Sequence, residues 1–201
     1  HFPQAKSLAD VKAAVKALLT EEHNFQTLAL DSLDWLEPLI EQQVCADNDW
    51  ASIETPGYGK GYKETLPHWR GFFDAMNALR DQKNMAIILI AHAEIKRYDN
   101  PMTASYDRFI PKLYKGAGAI VQEAVDVIGF ANWETAVVEE KTGFNNTQKK
   151  AKGSGRRLLY LEDRPAFLAG SRYRLPPEVP FTWAAFIQAF TAATNPQPQA
   201  A

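Results

Sequence analysis

What this chain lacks sets its first limits. It holds one cysteine, Cys45, in 201 residues, so it forms no internal disulfide. A lone thiol fits a reducing compartment. The longest apolar run, residues 85–91, is far short of the roughly 20 residues a membrane-spanning helix needs. Neither charge is in large excess, with 22 Lys and Arg against 24 Asp and Glu and a net charge of −2. His92 has no second His or Cys at ligand spacing. The phosphate-loop pattern G-x-x-x-x-G-K-[ST] occurs nowhere.

What is present suits a globular α/β domain. Hydrophobic residues make up 46% of the chain, an ordinary share for a domain with a sizeable core. Ser7 and Asp10 read as a capping box ahead of Val11, Val15, Leu18 and Leu19 at helical spacing. Residues 24–30 form a short apolar run ending at Asp31, and predict a buried strand. Ser32 then stands at a cap position before Leu33, Leu36, Leu39 and Ile40. Residues 47–62 read as a loop. A helix is expected over 64–82, with Trp69, Phe72, Phe73, Met76 and Leu79 on one side. Residues 85–91 predict a second buried strand, without the alternation of a half-exposed one. Residues 92–111 read as a long polar loop, 112–123 as a helix and 125–131 as a strand. Two antiparallel strands are expected at 133–140 and 157–162, joined by a long mobile tip at 141–156. A terminal helix follows at 181–190. We expect one domain over 1–191 and a disordered tail over 192–201.

Three features carry chemistry. The segment Thr27-Leu28-Ala29-Leu30-Asp31-Ser32 fits a Walker B strand. A carboxylate at the end of a strand in a parallel sheet faces the ligand crevice, where it can hold the water shell of a magnesium ion. Apolar strands ending in a turn or capping aspartate are also common. His92 follows the second strand and would lie where a terminal phosphate can be sensed, though a plain loop histidine fits the spacing too. Third, residues 141–161 contain no acid but include Lys141, Lys149, Lys150, Lys152, Arg156 and Arg157. Such a stretch can neutralise phosphates of a nucleic acid or simply solvate a loop. Pro56-Gly57-Tyr58-Gly59-Lys60-Gly61-Tyr62 is glycine-rich, but Lys60 is followed by Gly61 and no apolar strand precedes it; it reads as a surface loop.

Taken in order, the segments TLALDSLDWLE, GYGKGY, AIILIAHAEIKRYDNP, YDRFIPKLYKGAGAIVQEAVDVIGFAN, RRLLYLEDRPAF and SRYRLPPEVPF resemble phage-encoded RecA-like P-loop ATPases, some of which act as single-strand annealing proteins. The resemblance implies a RecA-like P-loop NTPase core, a mainly parallel sheet flanked by helices with an antiparallel hairpin extension. It implies ATP and Mg2+ as cofactors and single-stranded DNA as partner. It also implies a homo-oligomer, ring or filament, in a bacterial host cytoplasm. Asp31 and Ser32 would contact the nucleotide, Asp31 holding magnesium through water. His92 would end the sensor strand and Arg172 would face a neighbour's nucleotide. Arg108 and Lys112, with Lys149, Lys150, Lys152, Arg156 and Arg157, would meet DNA. Gly170 stands where the family usually has Lys. The family's Walker A strand and loop, roughly 60 residues with the elements around them, are expected upstream of His1. Two other readings stay open: a homologue that binds DNA or a replication partner without hydrolysis, and a different P-loop ATPase such as a motor or loader.

Overall fold

Ser7 starts the first helix as the capping box requires. Its hydroxyl accepts from the Asp10 amide at 3.2 Å, and Asp10 accepts in return from the Ser7 amide at 3.0 Å. The two bonds satisfy amides that a helix start leaves unpaired. The computed structural model describes residues 1–143 and 146–195, with backbone alone for residues 135–143 and 146–152. The chain divides into two compact units. The first comprises His1–Glu94 with Ile110–Ala124, the second Ile95–Phe109 with Val125–Ala201.

The first unit contains helices α1 (Leu8–Thr20), α2 (Leu33–Asp47), α3 (Lys60–Glu64), α4 (Leu66–Lys83) and α5 (Lys115–Ala124), and strands β1 (Thr27–Asp31) and β2 (Ala86–Ile90). Its core is helical. Trp69, Phe72, Phe73, Met76 and Leu79 of α4 are buried together with Leu18 of α1, Ile40 and Val44 of α2, and Ala117 and Val121 of α5. This is the α4 face expected from the spacing. Each such large apolar side chain contributes about 1.5–3 kcal/mol by leaving water. Asn84 ends α4 in the left-handed conformation, its amide donating to Leu79 O.

Strands β1 and β2 pair in parallel, with Asp31 opposite Ile90. They are not the fully buried strands expected. Thr27, Ala29 and Asp31 are exposed while Leu28 and Leu30 are half-buried, so one face of β1 is covered and the other open. The pairs of Val127–Ile128 with Gly170–Ser171, of Phe130–Gly143 with Asn146–Tyr160, and of Asn146–Tyr160 with Glu178–Pro180 are antiparallel, so the expected mainly parallel core is not clearly formed among the described strands. The chain forms a mixed α/β structure of several small sheets.

Residues 92–111 hold two strands rather than a loop, β3 (Ala93–Tyr98) and β4 (Tyr106–Pro111), which pair with each other. Their residues are mixed in polarity, with strict apolar–polar alternation only over Ala93-Glu94-Ile95-Lys96. A search for continuous apolar runs passes over such a ribbon, although period-two alternation is itself a strand signal.

The second unit is built on β5 (Val127–Ile128), β6 (Phe130–Gly143), β7 (Asn146–Tyr160), β8 (Gly170–Ser171), β9 (Glu178–Pro180) and α6 (Trp183–Thr194). The antiparallel hairpin of β6 and β7 is longer than expected. Pairing runs from Phe130 opposite Tyr160 to Gly143 opposite Asn146. The residues read as a long tip are therefore largely strand. Residues 144–145 lie outside the described residues. Leu158, Tyr160, Phe167 and Ala169 form this unit's core, with Phe109 and Phe130 packed on it; the Phe167 ring lies 4.7 Å from both Phe130 and Tyr160. α6 starts at a Thr182 cap, whose hydroxyl accepts from the Ala185 amide. It runs to Thr194, so residues 192–194 are helical; residues 196–201 lie outside the described residues.

Candidate functional site

In a parallel pair, both strands deliver their carboxyl ends to the same edge. Asp31 ends β1 there, Ser32 follows it, and His92 lies two residues beyond the last residue of β2. Asp31 is exposed. Ser32 is 3% exposed and stands at the N-cap of α2, but its side chain makes no capping bond; its carbonyl accepts from the Trp35 and Leu36 amides instead. The Asp31–Ser32 peptide is cis.

A residue that the sequence reading passed over completes this edge. Asp34, in the first turn of α2, accepts from the His92 amide at 3.1 Å and lies 2.9 Å from the His92 ring Nδ1. Its side chain is 7% exposed while that of His92 is 64% exposed. Burial pushes the Asp34 carboxyl up, but the His92 amide and the other hydrogen bonds outweigh it and hold the group below its ordinary value. The Ser32 hydroxyl is close enough to favour the charged carboxylate, yet at normal hydrogen-bond geometry it has no partner. His92 is tied from its other side as well, since its carbonyl accepts from the Lys112 amide at 2.8 Å. Lys112 thus meets this edge through its backbone, with its side chain exposed.

A groove of about 1340 Å³ opens beside these residues. Leu28, Leu30, Asp31, Ser32, Trp35 and His92 line it, with Phe2 and Phe25. Phe25 and Trp35 are 62% and 67% exposed. Its lining is mostly apolar, with Asp31, Ser32 and His92 among its polar members.

The residues fit part of a magnesium–nucleotide site. Magnesium keeps several waters and needs one or two protein carboxylates beside the phosphates it bridges. The exposed Asp31 at the strand end suits that role. Among the described residues no three His, Cys, Asp or Glu cluster as an all-protein metal cage. The phosphate side is not met by residues 56–62. Gly57, Tyr58 and Gly59 have positive φ, but no strand leads into them. Gly61 is buried, and a Cβ there would collide with the Ile53 carbonyl oxygen. That glycine serves packing.

The remaining candidates belong to the second unit. Arg108 is 8% exposed; its Nη2 donates to Asp163 Oδ1 at 2.6 Å, to Phe167 O at 2.7 Å and to Arg164 O at 3.2 Å. Its guanidinium also lies 5.2 Å over the Tyr98 ring. Arg156 makes a two-pronged pair with Glu134 at 2.6 and 3.0 Å. The Ser154 hydroxyl, then Arg156, holds Glu134 below the usual carboxylate range. Arg157 lies 5.3 Å over the Trp133 ring and 5.9 Å over Phe181, both rings about half exposed. Arg172 pairs with Asp126 at 3.1 Å, and its amide donates to the Asp126 carbonyl at 2.9 Å. The side chains of Lys149, Lys150 and Lys152 lie outside the described residues. Register places Lys149 opposite Glu139 and Lys150 opposite Val138. Acid on the facing strand therefore accompanies the basic run, which a reading of 141–161 alone does not reveal.

No helix among the described residues is long and apolar enough to cross a membrane. A family model described as AAA domain matches residues 1–173. No curated protein and no solved structure matches the chain.

Proposed function

The chain belongs to the AAA domain family, and on that premise we propose that it is the core of a RecA-like, magnesium-dependent ATPase that works on single-stranded DNA in recombination or annealing. Family membership carries a nucleotide-binding, ATPase-like function with ATP and magnesium as the usual ligands; the recombination role is our reading. The observation that carries it is the convergence of Asp31 and His92 at the carboxyl edge of β1 and β2. When bound, the magnesium–nucleotide would supply an electrophilic phosphoryl group. Asp31 would hold the metal's water shell, Ser32 would stand beside it, and His92 would sense the terminal phosphate. Arg172 would exchange its exposed pair with Asp126 for a neighbouring subunit's nucleotide in a homo-oligomer. DNA would meet the β6–β7 ribbon through Lys149, Lys150 and Lys152. Beside them, the Arg157–Trp133–Phe181 cluster offers a cation and aromatic faces of the kind on which bases stack.

The direct test is Asp31→Asn in the gene's full-length product. Hydrolysis should fall about 10–100-fold, as when an outer contact to a metal is lost, with the melting curve unchanged. Equal turnover with unaltered magnesium dependence would reduce Asp31 to a turn residue. A second reading, a homologue that binds DNA or a replication partner without hydrolysis, is favoured by Gly170 standing where the family usually has Lys. It would show itself as DNA binding without nucleotide turnover in the wild type.

A further inference from the structure

We propose that Asp34 is the positioning residue of His92, fixing the ring as its Nδ1–H tautomer with Nε2 outward. The proposal takes the carboxyl edge of β1 and β2 as a nucleotide site, as above, but its geometry stands without that. Asp34 touches His92 twice, at the backbone amide (3.1 Å) and at ring Nδ1 (2.9 Å). An ionised carboxylate only accepts hydrogen bonds, so Nδ1 carries the hydrogen. With the backbone held by the same carboxylate, the ring's remaining polar atom is Nε2, on the exposed side of a residue whose side chain is 64% solvent-accessible.

This sharpens what His92 can meet. In the neutral ring, an Nδ1–H tautomer leaves Nε2 as a lone pair. It cannot donate to an anionic phosphoryl oxygen. It accepts instead from a donor, and the donor available beside a terminal phosphate is a water molecule. His92 therefore reads the phosphoryl group through that water, orienting it, while Asp34 keeps the ring from turning or switching tautomer. The same logic makes partner carboxylates decisive for other functional histidines.

Asparagine at position 34 tests this cleanly. Its Oδ1 can keep the His92 amide, while its Nδ2 donates to Nδ1 and forces the hydrogen to Nε2. The fold should survive and the tautomer should invert. Long-range ¹H–¹⁵N spectra of the full chain, at a pH about two units above the ordinary histidine pKa of about 6.5, report the tautomer without any nucleotide. The expected result is Nδ1–H in the wild type, Nε2–H in Asp34→Asn and a mixture in Asp34→Ala. A wild-type ring in the Nε2–H form, or the same spectrum in wild type and Asp34→Asn, would overturn the proposal, and the wild-type measurement decides even where a variant fails to fold. In a turnover-competent full-length protein, Asp34→Asn should lower kcat about 10–100-fold with KM for Mg-ATP within about twofold; unchanged kcat would overturn the water contact. Failure of the wild type to bind Mg-ATP at all would overturn the nucleotide-site reading and the water contact with it, while the tautomer spectra still decide Asp34's role.

Discussion

Asp34 and Glu37 stand one turn apart on α2, and each carboxylate takes the backbone amide of a different returning segment. Asp34 accepts from His92 N at 3.1 Å, and Glu37 accepts from Tyr114 N at 3.0 Å. Residues three apart share a helix face, so one face of α2 holds both the segment after β2 and the segment entering α5. The Lys112 amide closes the set by donating to the His92 carbonyl. The candidate site is thus held by main-chain contacts to carboxylates, and its polar edge depends on residues far apart in the chain.

Arg108 should prove structural. It donates three hydrogen bonds from a nearly buried position. Asp163 is 57% exposed, so the loss on removing the guanidinium is that of charge-assisted hydrogen bonds rather than of a fully buried ion pair. Arg108→Ala should cost about 2–3 kcal/mol, measured by urea unfolding of the full chain. Unchanged stability with weakened DNA binding would return Arg108 to the DNA-facing set.

Tyr62 should resist ionisation. The Glu54 carboxylate beside it, then burial, pushes its phenol up to about 12. A folded pKa above the unfolded one stabilises the protein below the unfolded value, and that contribution disappears as pH rises through the folded value. The window here therefore runs from about 10 to about 12. Tyr62 should ionise late in an ultraviolet titration, and Tyr62→Phe should remove that late step. A Tyr62→Phe titration that overlays the wild type apart from one ordinary tyrosine would refute the pairing.

The strand lysines give a salt test. Changing Lys149, Lys150 and Lys152 together to Ala should weaken single-strand binding about equally for all sequences. It should also reduce the slope of log affinity against log salt by up to about 2. If instead that slope holds and an Arg97/Lys112 double mutant lowers it, the contact lies near residues 96–112.

Gly61 should not tolerate a methyl group, because the new Cβ would run into the Ile53 carbonyl oxygen. Gly61→Ala should destabilise the first unit by about 1–3 kcal/mol, seen as a lower thermal midpoint. Gly57→Ala would be strained by its positive φ but meets no neighbour. A Gly61→Ala protein that melts with the wild type would mean that the loop moves aside at little cost.

Much of the first unit was legible in the sequence. The Ser7–Asp10 cap, the apolar face of α4 and the two strands before Asp31 and His92 all depend on neighbours within a few residues, and all were expected. Strands β3 and β4 give no such local signal because their residues are mixed in polarity. The hairpin runs further than the sequence predicts because a run of Lys, Asn and Gly resembles a loop until a facing strand pairs with it. Asp34 left no signal, since its meaning lies in a contact across 58 positions.

By itself, then, the sequence determined the Ser7 cap that opens α1, the apolar face that α4 buries, and that an aspartate and a histidine follow two short apolar strands. Tertiary structure alone decided which polar groups are spent and which remain available. Arg108, Arg156 and Arg157 are the same residue type in the sequence. Folding buries the first against Asp163, clamps the second to Glu134 and lays the third over two exposed rings. The reason is that a charge takes its strength from distance and dielectric, and both are set by residues brought close from elsewhere in the chain.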